Sequence, residues 1–291
     1  MFNGSIAALI TPFRQGNVDE QALKNLVRFH IENGSHAIVP LGTTGEASTL
    51  SKQEYKQVVE LVCHEVSNQL PVIAGAGSNC LDSAIEYTAI AKQAGVNAAL
   101  HVMGYYNRPN QEGIYQHFAQ LTAATDLPII VYNIPSRAVI DILPETMARI
   151  AQLPTIVGVK DATCDLSRPI REAALISKPF CFLTGEDPTA VAYNAQGGVG
   201  CISVTANIAP ALCADMQKAC ANQQFDKALE IQRRLMPLHR ALFIEPSPAG
   251  VKYASSLLGL CEDTCRLPMV PLTQDTKQKI AQAMRLLDLI E

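Results

Sequence analysis

Eight short runs rich in valine, isoleucine and other apolar residues, at 5–10, 36–41, 71–75, 98–103, 128–132, 155–160, 180–184 and 200–204, are each followed by a segment of helical period. Strands buried on both faces read as continuous apolar runs, so this alternation describes a parallel sheet with helical connections. Eight successive units predict an α/β fold, a closed (β/α)8 TIM barrel rather than an open doubly wound sheet. The chain can supply the core, with 291 residues of which 48% are hydrophobic. Helix signals agree: Asp19 precedes the periodic Leu23, Leu26, Val27 and Ile31, which end at Gly34, and Ser51 with Glu54 forms a capping box. Beyond the eighth run, residues 208–243 read as one continuous helix, with more helices after Pro248 and Pro271. The expected organisation is a catalytic barrel over 1–224 and a helical extension over 225–291. No Gly/Ser-rich or Pro-rich linker separates the two, so the extension is expected to pack on the barrel.

Charge and cysteine usage narrow the partners. The net charge is −4 and the longest basic cluster is Arg233-Arg234, which gives no footprint for nucleic acid or an anionic membrane. No window approaches the roughly 20 apolar residues of a membrane span, and no charged leader opens the chain. Nine cysteines lack CxxC spacing, and several lie in apolar runs; they read as reduced thiols of a cytoplasmic protein. Cys261 and Cys265 have no second ligand pair nearby, so no metal is expected. Small molecules and further copies of the chain are the expected partners.

A barrel of this kind builds its active site at the C-terminal ends of the strands. Lys160 closes the sixth run there. A buried lysine loses its preference for the charged form, and the free amine adds to carbonyls to give a Schiff base. Tyr132 closes the fifth run, on an adjacent strand expected about 4.8 Å away, so its phenol can reach an atom bonded to that amine. The second run leads into Gly42-Thr43-Thr44-Gly45-Glu46, whose glycines permit a tight turn offering hydroxyls and amides to a carboxylate. Arg137 offers a planar fork for a second carboxylate. Each element also has an ordinary reading: a solvated strand-end lysine, a polar turn, a surface ion-pair partner. Their convergence at one end of one barrel favours the catalytic reading. Gly75-Ala76-Gly77 lacks the third glycine of a dinucleotide loop.

With these residues in place, the chain resembles the dihydrodipicolinate synthase family, of the pyruvate-dependent aldolase superfamily. The resemblance runs nearly end to end through GTTGE at 42–46, YYNRP at 105–109, YNIPSR at 132–137, GVKDAT at 158–163, GCISVTAN at 200–207 and RLMPLH at 234–239. It implies that pyruvate forms an imine with Lys160 and condenses with L-aspartate 4-semialdehyde to 4-hydroxy-tetrahydrodipicolinate, the committed step of diaminopimelate and lysine biosynthesis. No external cofactor is implied. Thr43, Tyr132 and Tyr106 resemble the family's proton relay, with Tyr106 crossing a tight dimer interface. Thr44 and the Ile202 backbone would hold pyruvate, and Arg137 the semialdehyde carboxylate. A homotetramer built as a dimer of dimers is implied too. The residues alone leave two other readings open, a lyase for 2-keto-3-deoxy sugar acids or sialic acid and a catalytically silent barrel.

Three departures from the family pattern matter. Ala138-Val139 replaces Thr-Gly after Arg137, and valine resists the positive φ that glycine permits. Gly104 replaces the proline before the tyrosine pair, which is expected to loosen that segment. At the family's lysine effector site, Ser48, Asn79, Ser83 and Tyr105 are the candidate contacts. Lys52 and Tyr55 stand where histidines are common there, and Ser83 stands for a glutamate. An added cation and a missing anion predict weak or absent lysine inhibition.

Overall fold

The computed structural model describes residues 2–291. All eight apolar runs form strands: β1 Gly4–Ala8, β2 Ala37–Val39, β3 Ile73–Gly75, β4 Ala98–Val102, β5 Ile129–Asn133, β6 Ile156–Asp161, β7 Cys181–Thr184 and β8 Gly200–Ser203. They pair in parallel in the order β2-β1-β8-β7-β6-β5-β4-β3. A parallel bridge between Ile38 and Val72 joins the two ends, helped by the Gly75 amide donating to the Pro40 carbonyl at 2.9 Å. Closure removes the sheet edges, and nearly every strand residue is buried.

Outside the strands run α1 Glu20–Glu32, α2 Lys52–Val66, α3 Leu81–Ala94, α4 Gln111–Ala123, α5 Pro144–Ala151, α6 Arg168–Ala173, α7 Ala190–Ala195 and α8 Pro210–Ala221. Asp19 Oδ1 accepts from the Ala22 amide at 3.0 Å, capping α1. The capping box of α2 is complete, the Ser51 amide donating to Glu54 at 2.8 Å and the Glu54 amide to Ser51 Oγ at 3.2 Å. A two-strand hairpin, Phe13–Arg14 against Asn17–Val18, follows β1.

The single helix expected over 208–243 is two: α8 stops at Ala221, and α9 spans Phe225–Ala241. Gln223 turns left-handed, with φ 59°, and α9 doubles back against α8. α9 is amphipathic, and folding back buries its apolar stripe where one long helix would have carried it away from the barrel. Helices α10 Ala249–Leu257 and α11 Gln274–Arg285 complete the chain. Leu235, Leu238, Ile280 and Met284 belong to the same buried cluster as Ile6 and Leu23, so α9 and α11 share the barrel's core. Among the described residues, no helix is long and apolar enough to cross a membrane.

Candidate active site

Pairing of β5 with β6 sets Tyr132 opposite Lys160. Both are buried, and Lys160 Nζ lies 4.1 Å from the centroid of the Tyr132 ring. They line a cavity of about 560 Å³ together with Thr43, Thr44 and Arg137. Ile202 is fully buried in β8 opposite Ile6 and does not line it.

Room for the lysine comes from Gly185, just past β7. A Cβ there would sit 2.8 Å from Lys160 Cε and 3.2 Å from Ala162 Cβ. No local sequence pattern marks this glycine, because the close approach is between strands. Burial and the Asp187 carboxylate push the neighbouring Glu186 carboxyl up, against the pull of Lys160 and Arg137. Asp187 itself is buried and accepts from Ser203 Oγ and from the amides of Val204, at 2.9 Å, and Thr205, at 3.1 Å, tying the end of β7 to the end of β8.

The turn at 42–46 forms for a different reason from the one expected. Its left-handed residues are Leu41, φ 63°, and Glu46, φ 54°, not the glycines. Gly45 is needed for proximity: a Cβ there would meet the Leu41 amide nitrogen at 2.9 Å and the Leu9 carbonyl at 3.1 Å. The Glu46 amide donates to the Thr43 carbonyl at 3.1 Å, and Thr11 Oγ1 donates to the Gly45 carbonyl at 2.7 Å.

Arg137 sits on a one-turn helix, Pro135–Ala138, closed by Val139 at φ 66°. Valine therefore takes the conformation its side chain resists, held by its amide donating to the Pro135 carbonyl at 2.9 Å. Gly104 takes φ 87°, and an added Cβ would fall 1.9 Å from Ile140 Cδ1, so the glycine makes room for that side chain. Ile140, the residue after Val139, fills the hollow that Gly104 leaves. A left-handed L-residue costs about 1–2 kcal/mol, against about 0.5–1 kcal/mol for the extra freedom of glycine in the unfolded chain. Because Val139 is exposed, Val139→Gly is expected to raise stability by about 1 kcal/mol. Thermal melting at fixed protein concentration checks this, and a lowered midpoint would contradict it.

Tyr106 does not line the cavity of its own chain; it is 91% exposed, with φ 71°. Tyr105, Ser48 and Ser83 line the cavity that also holds Lys160. Asn79 stands outside it and donates from Nδ2 to the Tyr105 carbonyl at 3.3 Å. Lys52 is not a free cation, since its Nζ pairs with Glu86 at 2.6 Å. Lys252 is fully buried and paired with Glu46; it has no access to the cavity, whose lining does not include it.

A family profile described as the Dihydrodipicolinate synthetase family matches residues 1–287. The 4-hydroxy-tetrahydrodipicolinate synthase of Parvibaculum lavamentivorans is 55% identical over 285 residues, 98% of each chain. The enzyme of the same name from Rhodospirillum centenum is 56% identical over the same share. The crystal structure of dihydrodipicolinate synthase from Aquifex aeolicus superposes with a TM-score of 0.97 at 39% identity, covering 99% of each chain. The Acinetobacter baumannii synthase, solved in complex with pyruvate, superposes with the same score and identity over the full length of both chains. The chain belongs to the dihydrodipicolinate synthetase family.

Proposed function

We propose that the chain condenses pyruvate with L-aspartate 4-semialdehyde to give 4-hydroxy-tetrahydrodipicolinate, through an imine on Lys160. The observation that carries this reading is the buried amine of Lys160 beside the Tyr132 ring in a cavity walled by Thr43 and Thr44. The Lys160 amine adds to the C2 carbonyl of pyruvate, and the carbinolamine loses water to an iminium. The iminium accepts electrons, so a methyl proton leaves and an enamine forms. Its terminal carbon bonds to the aldehyde carbon of the semialdehyde. The amino group of the product then adds to the imine carbon and expels the lysine, closing the ring without any cofactor.

Tyr132 is placed to carry the protons of carbinolamine formation and collapse. Thr43 connects it to the turn, and Thr44 receives the pyruvate carboxylate. Arg137, at the mouth, binds the carboxylate of the semialdehyde as a bidentate fork; a sugar-acid lyase would need hydroxyl partners there instead. Tyr106, exposed in its own chain, completes the relay in a second copy. The working unit is therefore at least a dimer, within a dimer of dimers in the cytoplasm.

Intact mass after incubation with pyruvate and borohydride, peptide mapping, and a coupled assay with the semialdehyde test the reading. An adduct on Lys160 with turnover supports it. An adduct without turnover favours the sugar-acid lyases, and no adduct ends the Schiff-base reading.

A structure of the Cyanidioschyzon merolae synthase holds lysine. In this chain free lysine is expected to inhibit weakly or not at all. Among the described residues, no Asp or Glu lines the cavity that Ser48, Ser83 and Tyr105 share, so a ligand with two ammonium groups and one carboxylate lacks an anionic partner. Steady-state inhibition in the micromolar range would overturn this.

A further inference from the structure

We propose that Lys252 and Arg266, both from the C-terminal extension, are positioning residues that hold the Thr43-Thr44 turn in shape, Lys252 through Glu46 and Arg266 through Glu46 and Thr49. The proposal rests on the reading that this turn receives pyruvate.

Glu46 ends the turn in a left-handed conformation, with φ 54° and ψ 33°, and is 4% exposed. Its Oε1 forms an ion pair with Lys252 Nζ, a charge contact rather than a directed hydrogen bond. Its Oε2 accepts from the Arg266 amide at 2.9 Å. Lys252 Nζ also donates to the Thr264 carbonyl at 2.8 Å and lies 4.1 Å from the Phe13 ring centroid. The Arg266 guanidinium covers the same ring at 4.4 Å. It donates to the Thr49 carbonyl at 2.8 Å and the Gly16 carbonyl at 2.7 Å, and it pairs with Glu54. That hydrogen-bonded pairing holds the Glu54 carboxyl down at about 2. The chain just after the turn, from Glu46 to Thr49, is thus tied from outside to α10 and the segment beyond it.

An apolar pair of equal volume would join helix to barrel at least as tightly as this buried ion pair. It would not fix the direction of the Glu46 side chain. Direction matters because Glu46 is an L-residue at positive φ, a conformation that persists only where the surroundings impose it. The Glu46 amide in turn closes the turn on the Thr43 carbonyl. Loss of the outer anchors therefore releases the turn and displaces the hydroxyls that face pyruvate, while β6 and Lys160 stay in place.

Two variants test this, because removing Lys252 alone strands a buried carboxylate and endangers folding. One is Arg266→Met, at a partly exposed site, which keeps the backbone hydrogen bond to Glu46 and removes the guanidinium's hold on the Thr49 carbonyl and on Glu54. The other is the charge-neutral pair Glu46→Gln with Lys252→Met. For folded variants, the expected result is about a tenfold rise in the KM for pyruvate with a smaller change in kcat. Hydrogen exchange is expected to quicken at least tenfold across residues 41–50 and not at β6. A purely structural anchor lowers the melting temperature and leaves KM and local exchange unchanged, and that result overturns the proposal. Faster exchange with an unchanged KM overturns it as well. If the unmodified protein forms no pyruvate adduct, the reading of the reaction fails, while the exchange comparison still decides whether the clamp orders the turn.

Discussion

Replacing Lys160 with alanine is expected to abolish the borohydride-trapped pyruvate adduct and to lower turnover by at least about 10³-fold, with little change in stability. The size follows from the chemistry. Without an imine no electron sink forms, and the methyl group of pyruvate keeps its ordinary weak acidity. The small stability effect follows from the surroundings. Lys160 projects into an open cavity, so the alanine leaves no closed void behind it. Lys252 is not expected to substitute, because it is fully buried and paired with Glu46. Peptide mapping of the variant after pyruvate and borohydride checks the point. An adduct retained on any lysine would place the nucleophile elsewhere.

Much of this architecture is legible in the sequence because a parallel strand is apolar along its whole length. All eight runs became strands, and the Asp19 cap and the Ser51-Glu54 capping box stand where their spacing placed them. The break after Ala221 was not legible, since Asn222-Gln223-Gln224 contains neither glycine nor proline and the turn is imposed by packing. The site divides along the same line. Lys160, Tyr132, Thr43, Thr44 and Arg137 lie at strand ends or in the loops that follow, so a barrel topology alone brings them to one cavity. Gly185, Glu46, Lys252 and Arg168 act through contacts between distant segments, for which no local period or spacing exists. Valine at position 139 illustrates the limit of propensity: the turn after Arg137 requires a left-handed residue, and the surrounding structure imposes it at a cost.

Arg168→Met is expected to cost about 3–5 kcal/mol of stability, a large share of the roughly 5–15 kcal/mol available to a domain. Arg168 is buried behind the lysine strand, where its guanidinium donates to the Ile142 carbonyl at 2.8 Å, pairs with Asp141 and lies 3.6 Å from Glu172. Asp161, the residue after Lys160, is raised by burial. Glu172 is pushed up to about 8, by burial first and then by the Asp161 charge. Without Arg168 these carboxyls share one buried region with no cation, and the least costly response is to bind protons. The sign of the pH dependence follows. A carboxyl raised in the folded state contributes stability in full below its unfolded value, and that contribution is lost as pH rises through the folded value. For Glu172 the window runs from about 4.5 to about 8. The intact protein is therefore expected to lose stability across this window, and Glu172→Gln to flatten the loss. Arg168→Met removes the charge that opposes the shift, so its deficit is expected to be larger at pH 8 than at about pH 5.5. Urea unfolding of all three proteins at both pH values, at one protein concentration, measures this. An equal deficit at the two pH values would show that Arg168 acts by packing its stem and not by neutralising the carboxyls beneath Lys160.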